Sequence, residues 1–136
     1  MASIVVNQGL IRCGKQTFES TNYNAARNVQ VMSVDDSTVA FAAGDTALNT
    51  GGAVTSEFDA AFDATPTESG QTVTCVMTVP TGSGNFTIRR LAEHDDVAGT
   101  VSTSSTTLFA GVDNQALTKT SDFSLAITKQ FTFTSV

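Results

Sequence analysis

The stretch Ser121 to Val136, SDFSLAITKQFTFTSV, constrains the fold more than any other. Its odd positions carry Phe123, Leu125, Ile127, Lys129, Phe131 and Phe133. Its even positions carry Ser124, Ala126, Thr128, Gln130, Thr132 and Thr134. Side chains of an extended chain alternate between faces, so the spacing gives one apolar face and one hydroxyl-rich face. A helix would scatter the phenylalanines around its cylinder. At ~3.3 Å per residue, a strand from Phe123 to Phe133 runs on the order of 36 Å. Three phenylalanines on one face are too much apolar area to leave in water. The odd face is therefore expected to be buried, in the subunit core or between subunits. Lys129 is the one charge on that face, expected to snorkel at a sheet edge or to pair with a carboxylate in a subunit interface. These six odd residues are the candidate interface.

Composition enters as support for β structure. Serine and threonine make up roughly a quarter of the chain, and Thr favours strands while Ser favours turns. At 136 residues one domain is expected. The net charge of −6 argues against a nucleic-acid surface, which needs clustered cations; Arg89 and Arg90 are the only adjacent basic pair. There is no Trp and one Tyr, Tyr23, which argues against a sugar-stacking lectin. The start, MASIVVNQGL, lacks a basic n-region and its apolar run is too short for a signal peptide or membrane span. Synthesis and folding in the cytoplasm follow as the expectation. There, Cys13 and Cys75 read as two buried free thiols rather than a disulfide, and they lack the partners a metal site needs.

Along the chain, Asn7 to Phe18 reads as a short amphipathic helix capped by Asn7, with Leu10, Ile11 and Cys13 inward. Ser20 to Asn28 reads as a loop, and Val29 to Val34 as a strand covered on two sides. Asp35-Asp36-Ser37 reads as a turn, or as the cap of a helical turn through Ala40 to Ala42. Gly44 to Gly52 is loop-like, anchored by Leu48. Val54 to Phe62 fits helical spacing about as well as alternation and is taken as a strand. Ala64 to Gly70, with Pro66, reads as loop. Gln71 to Val79 and Asn85 to Glu93 read as the arms of a hairpin turned by Pro80 to Gly84, with His94-Asp95-Asp96 ending the second arm. Val97 to Thr107 reads as an extended excursion or a weak strand, and Leu108 to Val112 as a short strand. Ala116 to Thr120 leads into the final strand. The expected class is mainly β, an antiparallel sandwich or barrel-like domain with a short N-terminal helix.

No residue pattern carries catalysis. His94 beside Glu93, Asp95 and Asp96 has the donor types of a metal site, but consecutive strand residues point to opposite faces, so a solvated strand end is expected. A Ser-His-Asp arrangement would need His94, and no nucleophile elbow is present. Gly82-Ser83-Gly84 lacks the ending of a phosphate loop and precedes a strand. Asn85-Phe86-Thr87 is a glycosylation sequon with no secretory route to use it. Asp35-Asp36 and Asp113-Asn114 lack calcium-loop spacing. The expectation is no enzyme, no cofactor and no metal.

Two stretches resemble a known family. Val5-Val6-Asn7-Gln8-Gly9-Leu10-Ile11 looks like the opening of many small virion structural proteins of tailed bacteriophages. The closing stretch Leu108 to Val136, with its LTKTSDFSLAITKQFTFTS, resembles their last strands. Ala43 to Leu48 fits their short helix or loop before a long strand; Gly51 to Gly84 matches none of their phrases. The resemblance implies a β-sandwich-like capsid decoration (cement) protein, or else a tail-fibre or collar component with an adhesion role. It implies a location in the virion, the major capsid protein as partner, and a homo-oligomer with a trimer favoured, touching neither nucleic acid nor membrane.

Overall fold

Side chains that suit a pleated, half-buried surface recur at every second position, and strands form where they do. The computed structural model describes residues 4–5, 29, 31–48, 54–95, 108–113 and 115–132. The described strands are β1 (Ile4–Val5), β2 (Val31–Asp35), β3 (Glu57–Ala61), β4 (Thr67–Ser69) and β5 (Thr72–Val79). They continue with β6 (Thr87–Ile88), β7 (Arg90–His94), β8 (Leu108–Val112), β9 (Leu117–Thr118) and β10 (Leu125–Thr132). The fold is mainly β with antiparallel sheets, and no helix occurs among the described residues. The expected helix over Asn7 to Phe18 lies outside them, as do Cys13, the excursion from Val97 to Thr107, and Phe133.

Among the described residues these strands form three sheets. One has five strands in the order β1-β8-β7-β2-β3, one has three in the order β10-β5-β4, and β6 pairs with β9. Strand β2 is buried at every residue because both faces are covered. Val31 joins Phe41, Leu48, Ala92 and Leu108 on one side. Met32 and Val34 join Cys75, Met77 and Val79 of β5 on the other, with Leu125, Ile127 and Phe131 of β10 packed against them. Burying a side chain of that size contributes about 1.5–3 kcal/mol. This second cluster is what joins the larger sheets.

Four sequence expectations are corrected. The arms around Pro80 to Gly84 are not a hairpin. Strand β5 pairs with β10 and β4, whereas β7 pairs with β2 and β8. The alternation that defines a strand does not name its partner, and this turn hands the chain from one sheet to another. Gly84 sits there at φ +64°, where a Cβ would also come within 2.5 Å of Val79 Cγ1, so glycine is required on both counts. The second arm is itself broken at Arg89, whose N–H donates to Asp35 O while its carbonyl accepts from Gln115 N. Ala64 to Gly70 is not all loop, since Thr67–Ser69 adds to β5 beyond Pro66. Of the two readings of Asp35-Asp36-Ser37 the helical cap is the one corrected: Asp35 ends β2 and its carboxylate accepts from Ser37 N, which makes the turn. Finally, Phe123 precedes β10 instead of starting it.

Candidate functional site

Strand β10 shows the expected alternation. Leu125, Ile127 and Phe131 are half-buried and Lys129 is buried, while Ala126, Thr128, Gln130 and Thr132 are exposed. Phe123 departs from the expectation of burial at 39% exposure. Two residues upstream of the turn at Ser121, Lys119 takes the interior place instead. Its Nζ donates to Asn85 Oδ1 (2.9 Å) and Thr120 O (3.2 Å) and stands 5.8 Å from the Phe123 ring. Phe123 therefore covers a buried cation from outside rather than joining the core.

Lys129 neither snorkels nor waits for another subunit. It pairs within the chain, with Nζ 3.8 Å from Glu93 Oε1 and 5.5 Å from the Phe131 ring. Glu93 is fully buried, and neither of its carboxylate oxygens has a hydrogen-bond partner. Burial pushes its pKa up to about 8, and the Lys129 charge offsets this only in part. Cys75, opposite Lys129 in the β5–β10 register, is a buried free thiol. Burial, with a smaller push from Glu93, raises it to about 11, which makes it a poor nucleophile near neutrality.

Beside this pair lies a cleft of about 360 Å³. Val34, Leu91, Val112, Leu117 and Ile127 provide apolar walls, and Lys129 lines it together with polar neighbours such as Gln130. Among the described residues Leu117 is one of three large apolar side chains left exposed, at 44%.

The opposite face of β7 is organised differently. Arg90 donates from Nε and Nη2 to the Asp35 carboxylate, from Nη1 to Val39 O and from Nη2 to Leu48 O. Asp35 also accepts from Ser37 N. The Phe41 ring lies 4.3 Å from the guanidinium carbon and against Gly111, where a Cβ would come within 2.4 Å of it. This node clamps the chain from Asp36 to Leu48 over the five-stranded sheet.

The other candidates fall in place as structural contacts. His94 is buried, not solvated as expected, because it lies on the face of the five-stranded sheet that Phe41 and Leu48 cover. Its Nε2 and Ser33 Oγ share a hydrogen bond of 2.8 Å, and both side chains are sealed from solvent. Asp36 accepts from Thr55 N, Thr55 Oγ1 and Ser56 N, and Asp113 accepts from Phe41 N. Among the described residues no group of three or more His, Cys, Asp and Glu side chains could hold a metal ion.

Sequence reasoning missed Glu93, Asp35 paired with Arg90, and Lys119. A signal for the first was present: a lysine on an apolar strand face demands a carboxylate from the facing strand. Compared with protein-family models, curated proteins and solved structures, the chain matches none.

Proposed function

We propose that the chain is a virion structural protein of a tailed bacteriophage, a decoration (cement) protein that binds the outer capsid surface. Its two larger sheets form the layers of a β-sandwich, and its copies associate as a homo-oligomer, a trimer favoured. The resemblance of Val5 to Ile11 and of Leu108 to Val136 carries this reading. The structure adds support of another kind. The polar and charged side chains that the fold brings together, Arg90 with Asp35, Lys129 with Glu93 and His94 with Ser33, face each other inside the protein. The exposed row of β10 is uncharged and small, suited to contact over an area rather than to chemistry. A net charge of −6 favours the outside of a DNA-filled shell. Binding a surface that exists only in the assembled shell stabilises that shell by linkage.

Quantitative gel analysis of purified virions tests the assignment. A copy number commensurate with the major capsid protein is expected, together with a lower melting temperature of shells stripped of the chain. A handful of copies per particle would move it to a fibre or collar, and none would remove it from the virion.

A further inference from the structure

We infer that the outer edge of β10 and the cleft beside it together accept an extended segment of a partner polypeptide, added as a further strand with apolar side chains at alternate positions. This rests on the proposed role as a binding part of a larger particle and specifies the form of its contact. Among the described residues β10 pairs with β5 alone, so its eight residues present one edge of backbone donors and acceptors. It is the longest such edge: β4 and β1 are short, and β3 carries Glu57 and Asp59. The only charge on β10, Lys129, is turned inward, so no charged side chain guards the edge.

Alongside that edge, at Ile127 to Gln130, opens the apolar cleft walled by Val34, Leu91, Val112 and Leu117. Strand addition draws affinity from main-chain hydrogen bonds and specificity from pockets for alternate side chains, and here both occur side by side. A second copy's β10 is the poorer occupant. Its Leu125, Ile127 and Phe131 are packed into their own core and have no side chain to offer the cleft. The segment must come from a chain whose alternate residues are free. Its flanks are basic rather than acidic, since the acceptor carries a net charge of −6.

The test is selection of a randomised pool of peptides about nine residues long, with lysine at both ends, on the purified full chain. The expected outcome is a consensus with apolar residues at every second position. Backbone amides within Leu125 to Thr132 then gain about tenfold protection from exchange on binding. Leu117→Arg, at an exposed wall, weakens the best peptide roughly tenfold while leaving the melting temperature unchanged. A consensus without period two, or protection that maps elsewhere, overturns the proposal. So does slow exchange of the outward β10 amides in the free chain, which would mean that the edge is already occupied by this chain or a second copy. Shells separate the two readings. Undiminished shell binding by Leu117→Arg sinks strand addition and leaves the virion role standing; peptide binding without shell binding does the reverse.

Discussion

Strand β7 carries two ion pairs on opposite faces, and they are built to different standards. Arg90 and Asp35 meet through several hydrogen bonds at 2.9–3.2 Å, and Nη1 and Nη2 also donate to the carbonyls of Val39 and Leu48. Glu93 and Lys129 meet at 3.8 Å, and the buried carboxylate has no hydrogen bond. Desolvating a charge is repaid only when its hydrogen-bonding groups are satisfied. The first pair is therefore a clamp that holds a loop. The second is a weak point in the packing beside the cleft, placed where the surface opens.

The largest expected effect comes from breaking the clamp. Asp35→Ala leaves the buried Arg90 without its carboxylate and should lower unfolding stability by about 3–5 kcal/mol, read from the urea midpoint. A loss below about 1 kcal/mol would mean that the loop carbonyls suffice and the contrast between the faces is overstated.

Glu93→Gln sharpens the contrast in the other direction. The folded-state pKa of Glu93 is raised from the ordinary 4.5 to about 8, so between these values the native protein holds a proton that the unfolded chain releases. Its contribution is fullest below the unfolded pKa and is lost as pH rises through the folded one. The slope in that window reaches at most about 1.4 kcal/mol per pH unit. Melting curves of the native chain should thus fall from mildly acidic to mildly alkaline pH. Those of Glu93→Gln should fall less steeply and lie higher at the alkaline end. Parallel curves for the two chains would show that Glu93 is ionised throughout, held by Lys129 as firmly as Asp35 is by Arg90.

The smallest effect belongs to Phe123→Ala. Exposed and outside β10, it should cost no more than about 0.5–1 kcal/mol by thermal melting, most of it from uncovering Lys119. A loss comparable to that of Asp35→Ala would place the ring in the core after all.

These cases show what was legible in the sequence. The faces of β10 were, since period two needs no knowledge of a partner; over Val54 to Phe62 alternation and helical spacing fitted about equally, and the strand there is Glu57–Ala61. Which strand lies beside which was not. Gln71 to Val79 and Asn85 to Glu93 are neighbours in the chain, yet β5 and β7 belong to different sheets, because pairing is decided by long-range burial. The pairs on β7 were hidden for a related reason. Arg90 and Glu93 read as ordinary polar positions until one face of their strand is covered by Phe41 and Leu48 and the other by side chains of β5 and β10. Lys119 gave no sign at all, because nothing in Leu117-Thr118-Lys119-Thr120 marks an inward-facing residue.

The pairing of β5 with β10 also sets a clock. Thr72 and Thr132 face each other across sixty residues of sequence. At synthesis rates of ~5–20 residues per second, β5 waits roughly 3–12 s for the strand that covers its flank. Throughout that interval Cys75, Met77 and Val79 lack the strand they pair with, since the short β4 reaches only Thr72 to Thr74. A chain with this connectivity is at its most association-prone while still being made. Its yield in a cell should therefore depend on temperature and expression rate more steeply than its final stability would suggest.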